Sequence, residues 1–133
     1  MVLIASLAAC GGSTATIVTF PDENLEAAIK RALRKPPEEE ITTRELAEIT
    51  KLDASERGIV DLAGIEHLPN LTELELGSNQ ISDISPLASL THLTVVNLFR
   101  NQINDISALA ALNNLTYLSL HTNQISDISP LVS

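Results

Sequence analysis

Residues 71–92 read LTELELGSNQISDISPLASLTH, and residues 93–114 read LTVVNLFRNQINDISALAALNN. Shifting the chain by 22 residues lays one stretch on the other. Leu71, Leu74, Leu76, Asn79, Ile81, Ile84, Leu87 and Leu90 fall on Leu93, Val96, Leu98, Asn101, Ile103, Ile106, Leu109 and Leu112. These fall in turn on Leu115, Leu118, Leu120, Asn123, Ile125, Ile128 and Leu131. A weaker copy precedes them: Ile49, Leu52, Ala54, Arg57, Ile59, Leu62, Ile65 and Leu68. The unit is LxxLxLxxNxIxxIxxLxxLxx. A fixed period of this length marks a stacked repeat architecture, in which no unit can bury its apolar face alone.

The physics of the unit follows from its spacing. LxL alternates with period two, so these leucines point inward from a short strand. Stacked copies pair the strands into a parallel sheet on the concave side, each coil buried only against its neighbours. The asparagine at position nine sits where the chain turns away from the strand, and its amide can bond backbone groups of adjacent coils. Arg57 cannot do this, so the first coil reads as a transition piece. The return side, for example Ile81 to Leu90, is short for a packed α-helix; Pro86 and Pro130 suit the first turn of a 3-10 segment. Asp83, Asp105 and Asp127 recur just before it as caps of turn amides. With one carboxylate per coil they lack the dense oxygen cluster that calcium requires.

A helical cap precedes the repeats. Phe20-Pro21-Asp22 opens a helix with an aspartate N-cap, and Leu25, Ala28, Ile29, Ala32 and Leu33 form its apolar stripe. Pro36-Pro37 ends it. Thr42 and Glu45 form a capping box for a second helix, with Ile41 and Leu46 as its staple, and Glu38 to Glu40 read as a solvated loop. The organisation expected is a signal peptide remnant over 1–9, a flexible tether over 10–19, the helical cap over 20–48 and four repeats over 49–133, the first degenerate and the last incomplete.

Met1 to Ala9 is apolar but far too short to span a bilayer. Leu7-Ala8-Ala9-Cys10 resembles the bacterial lipobox, in which the cysteine becomes the lipidated first residue. The resemblance implies secretion across the inner membrane and a lipid anchor at Cys10, at the cell envelope or surface, although no Lys or Arg precedes the apolar run.

Composition narrows the function. Acidic residues number 17 against 8 basic, a net charge of −9, which argues against a nucleic-acid partner. Aromatics are 2% of the chain, too few for base-stacking platforms. The single cysteine rules out an intramolecular disulfide. His67, His92 and His121 fall at different coil positions, so no nucleophile, base and orienting group assemble, and neither catalysis nor a cofactor or metal is expected.

The chain resembles the internalin family of bacterial surface proteins. The resemblance is carried by Thr19-Phe20-Pro21-Asp22-Glu23-Asn24-Leu25, by Ile41-Thr42-Thr43-Arg44-Glu45-Leu46, by the segment from Leu52 through Gly58-Ile59 and Leu62 to Gly64-Ile65, and by Asn79-Gln80-Ile81-Ser82-Asp83-Ile84-Ser85-Pro86-Leu87 with its copies. It implies an α/β solenoid: a right-handed leucine-rich repeat superhelix with short parallel strands on the concave face, 3-10 turns on the convex face and a helical N-terminal cap. It further implies extracellular protein recognition without enzymatic activity. Internalins carry more repeats and a C-terminal cap, whereas here Ser133 falls within the fourth coil. The expectation is a fragment of a longer chain, or an end covered by a partner or by a second copy of the last repeat.

With leucines inward, each strand presents its third, fifth, seventh and eighth positions outward. The candidate partner-binding residues are Glu73, Glu75, Val95, Asn97, Phe99, Arg100, Tyr117, Ser119 and His121. Exposed aromatics beside arginine are favoured at interface hot spots, and Phe99 is expected to face solvent. Toward the cap Asp53, Glu56, Glu73 and Glu75 make the same face acidic, favouring basic or mixed-charge partners. The function expected is a non-catalytic protein-binding module at the bacterial envelope; the alternative is a targeting or structural piece of a multidomain protein whose effector domain lies elsewhere.

Overall fold

The computed structural model describes residues 6–8 and 14–132, so Cys10 and its neighbours in the lipobox-like stretch lie outside the described residues, apart from Leu7 and Ala8. In chain order the elements are β1 (Ser6–Ala8), β2 (Thr14–Val18), α1 (Glu23–Leu33), β3 (Ile41–Thr42), α2 (Thr43–Leu46), β4 (Lys51–Asp53), β5 (Glu73–Glu75), β6 (Val95–Asn97) and β7 (Tyr117–Ser119). Four 3-10 turns, Ile65–His67, Ser85–Ser89, Ser107–Ala111 and Ser129–Leu131, complete the return sides of the coils.

The cap is not purely helical. Residues 14–18, expected within a flexible tether, form β2, which pairs antiparallel with β3 through Ile17↔Thr42 and Val18↔Ile41. The cause is local: Thr-Ala-Thr-Ile-Val is rich in β-branched residues, and Ile17 and Val18 are buried. β1 adds to the outer edge of β2.

In α1 the buried stripe is Leu25, Ala28 and Ile29. Ala32, expected in that stripe, is exposed, because the helix ends one residue after it. Arg34 turns left-handed at φ 57°, and the N–H groups of Arg34 and Lys35 return to the carbonyls of Arg31 and Lys30. This αL closure, rather than Pro36, stops the helix. Thr42 and Glu45 make the anticipated capping box over α2. Lys35 bridges from the end of α1 to Glu45, tying the two helices together.

The coils stack in perfect 22-residue register: Lys51↔Glu73↔Val95↔Tyr117, and likewise Asp53↔Glu75↔Asn97↔Ser119, in the parallel order β4-β5-β6-β7. One continuous apolar core runs from Leu25, Ile29, Ile41 and Leu46 of the cap through Leu52, Ile59 and Leu62 to Leu98, Ile103 and Ile106. The asparagine ladder forms as its position in the unit implies. Asn79 Oδ1 accepts from the N–H groups of Arg57 and Ile59, both at 3.0 Å, while its Nδ2 donates to the Ala54 and Leu76 carbonyls. Asn101 and Asn123 repeat the bridge one and two coils on, and Leu76 and Leu98 each accept from two rungs. At the equivalent place in the first coil, Arg57 leaves its buried Nε without a hydrogen-bond partner.

A second ladder runs along position two of the coils. The hydroxyls of Thr72, Thr94 and Thr116 donate to the carbonyls of Thr50, Thr72 and Thr94 at 3.0–3.1 Å, beside backbone N–H bonds to the same carbonyls. Sequence reading alone passes over these threonines as surface polar residues; only their recurrence every 22 residues distinguishes them.

Candidate partner-binding face

Each repeat delivers its concave side chains by the same local device. After the strand, the eighth residue adopts a left-handed backbone: Glu56, Ser78, Arg100 and Thr122 have φ between 54° and 60°. This turns the chain outward while the N–H groups of Glu56, Ser78 and Arg100 still reach the carbonyls of Gly77, Phe99 and His121 in the next coil. The face therefore has four columns, with neighbours one strand apart, ~4.8 Å.

Toward the later coils the face is aromatic. Phe99 and His121 are in-register neighbours, with ring centroids 4.6 Å apart and planes inclined at 36°. The Arg100 guanidinium carbon lies 5.8 Å from the Phe99 ring centre, within cation–π range. Phe99 does not stand free in solvent as expected. It is half-buried, leaning over Gly77, where a β-carbon would meet its Cδ1 at 3.3 Å. The missing side chain of Gly77 is what lets the ring lie down. Tyr117, by contrast, is 54% exposed next to Val95 in the neighbouring strand, and His121 and Arg100 are exposed around the Phe99 ring.

Of the other candidates, Val95, Asn97, Glu73 and Glu75 are half-buried on the face. Asn97 is partly committed to structure, its Oδ1 accepting the Phe99 N–H at 3.1 Å. Ser119, expected to point outward, is buried and offers a partner little surface. The acidic half contains one ion pair, Lys51–Glu73 at 2.9 Å. Among the described residues Asp53, Glu56 and Glu75 have no basic partner, and the Asp53 side chain is fixed by the Ser55 N–H at 3.1 Å.

The convex side is organised as capping groups. The Oδ1 atoms of Asp83, Asp105 and Asp127 accept the N–H groups of Ser85, Ser107 and Ser129 at 2.8–2.9 Å. Those backbone donors, with the serine hydroxyls, hold the three carboxyls below the usual aspartate range. Among the described residues no group of three or more His, Cys, Asp or Glu is placed to hold a metal ion.

The family described as "Leucine Rich repeats (2 copies)" matches residues 48–89 and again 91–133. No match was found among curated proteins. Among solved structures, an internalin (inlF) from Listeria monocytogenes is similar at 46% identity and TM-score 0.80, over 84% of this chain and 33% of that one. The functional domain of InlJ from the same organism is similar at 30% identity and TM-score 0.60, over 84% of this chain and 29% of that one. The structure of the CBM51-2 and INT domains of Clostridium perfringens ZmpB, in complex with GlcNAc, is similar at 31% identity and TM-score 0.60, over 66% of this chain and 18% of that one. The chain thus spans about a third or less of the length of these relatives. Its repeats, its parallel strands and 3-10 turns, and this kinship together place the chain among the leucine-rich repeat proteins, as an internalin-like member.

Proposed function

We propose that this chain is a non-catalytic protein-recognition module that binds its partner on the concave face, through Phe99, Arg100, Tyr117 and His121 with Val95 at their edge. The observation that carries the reading is the Phe99–His121–Arg100 cluster, with exposed Tyr117 on the same face, in a chain with only three aromatic residues. Two of these three stand on the face that repeat proteins use as an extended binding surface. A double variant, Phe99→Ser with Tyr117→Ser, tests it: partner capture falls while the circular dichroism spectrum is unchanged. Normal capture by a folded double variant contradicts the assignment.

The module is proposed to act at the bacterial envelope, held by a lipid on Cys10. The support is the Leu7-Ala8-Ala9-Cys10 sequence, and cleavage before Cys10 would remove β1 while leaving β2 paired with β3. Intact mass of the native protein from its own cells decides this: acyl chains on Cys10 support the anchor, and an unmodified Cys10 removes it.

A further inference from the structure

The acidic half of the concave face sets carboxylates in neighbouring strands side by side. Asp53 and Glu75 are direct partners in the register of β4 and β5, and like charges directly opposite destabilise a sheet. One row along the same strands, Lys51 and Glu73 pair and neutralise one another. The Asp53–Glu75 row has no such relief among the described residues, and Glu56 adds a third carboxylate at the rim. On the other half the available cation, Arg100, sits over Phe99. The face thus passes from uncompensated negative charge at β4–β5 to an apolar patch at β6–β7, on a protein of net charge −9.

Resting on the concave-face reading above, we infer that the partner presents a basic segment crossing the strands, with a Lys or Arg seated between Asp53 and Glu75 and an apolar side chain seated on Phe99. The cation relieves the Asp53–Glu75 repulsion, which gives the bound state an interaction the free protein lacks. The spacing follows from the sheet. From the Asp53–Glu75 pair to Phe99 is about one and a half strand intervals across the sheet and two residues along it, together ~10 Å, which an extended peptide covers in about three residues. The recognised pattern is therefore a cation followed three positions on by an apolar residue. Anionic ligands, including nucleic acid and acidic lipid surfaces, are repelled by the same charges.

The test uses the full chain labelled with ¹⁵N and two synthetic peptides, Gly-Lys-Ser-Ser-Leu-Gly and its counterpart with Glu in place of Lys. The lysine peptide should shift the amide signals of β4 to β7, and Asp53→Asn with Glu75→Gln should weaken its binding about ten-fold, the loss expected for a close charge pair. These near-isosteric changes remove a repulsion, so the variant should melt no lower than the parent. Equal shifts with the glutamate peptide would overturn the cationic inference while leaving the concave face as a binding surface. Shifts confined to the exposed Glu38–Glu40 run, or none at millimolar peptide, would overturn the inference as well; the concave-face reading is then judged separately by the Phe99, Tyr117 variant.

Discussion

The ring of Phe20 lies on the α-carbon of Gly64, so close that a β-carbon at Gly64 would meet Phe20 Cδ1 at 2.5 Å. This contact seats the cap on the first coil. Gly64 also has φ 101°, a backbone that side chains rarely tolerate. Asp22, two residues after Phe20, completes the joint: its Oδ1 caps α1 through the Asn24 and Leu25 N–H groups, and its Oδ2 accepts the N–H groups of Val60 and Asp61 in the first coil.

Gly64→Ala should therefore be among the most damaging single-methyl changes in the chain. Overpacking against a buried ring and a left-handed backbone together cost about 3 kcal/mol or more. Urea unfolding followed by far-ultraviolet circular dichroism checks this. Gly58→Ala, also at positive φ but with its new β-carbon 3.6 Å from Asn24 Nδ2, should cost less.

Asp22 links stability to pH. Burial raises its pKa, but the N–H donors of Asp61, Val60, Leu25 and Asn24 together outweigh this and leave it lowered. A carboxyl depressed in the folded state stabilises above its unfolded pKa, and that contribution is lost as pH falls through the folded value. Asp22→Asn keeps an N-cap oxygen but cannot accept from Val60 and Asp61, so it should cost about 1–3 kcal/mol at neutral pH. Below about pH 4 the gap between variant and parent should narrow, as urea midpoints measured from pH 7 downward will show.

The asparagine ladder should be strongest where it is enclosed. Asn101→Ala strands the buried Ile81 N–H and removes donors from the Leu76 and Leu98 carbonyls, at a cost of about 3 kcal/mol. Asn123→Ala, at a half-buried rung, should cost less. Arg57→Asn should stabilise the protein, by about 1 kcal/mol, because it removes an unpartnered buried Nε and supplies an amide in reach of the Ala54 carbonyl. Thermal denaturation of the three variants ranks them.

Thr122 is the residue least suited to its backbone. It is β-branched at φ 60°, where Asn or Gly is at ease. Thr122→Asn should raise stability by about 1 kcal/mol in the same melts. A drop would mean that the Thr122 hydroxyl makes a contact worth more than the strain.

Much of this fold was legible because each coil repeats the same decision. Leucines at LxL, asparagine at position nine and aspartate before the 3-10 turn each have one physical use at that spacing, and Asn79 and Asp83 fill those uses. The misreadings fall where a neighbour in space, rather than in sequence, decides. Residues 14–18 looked like tether until Ile41 and Thr42 supplied a pairing edge. Phe99 looked solvent-facing because the groove that receives it is the absent side chain of Gly77, one coil away. The threonine ladder was hidden because a hydroxyl at position two has the same pattern whether it bonds water or the preceding coil. Of the candidate face, the columns were readable from the period alone; which members are free to bind, Tyr117 and His121 rather than Ser119, was not.

The claim that partners are recognised on the concave face is tested most directly by site-specific photo-crosslinking in the native cells. A benzophenone side chain replaces Tyr117 on the concave face in one variant and exposed Ala110 on the convex side in another. The account predicts a discrete crosslinked species from position 117 that is absent from position 110 and is lost when Phe99→Ser is added. Crosslinking from position 110 alone, or a product at 117 indifferent to Phe99→Ser, would contradict it.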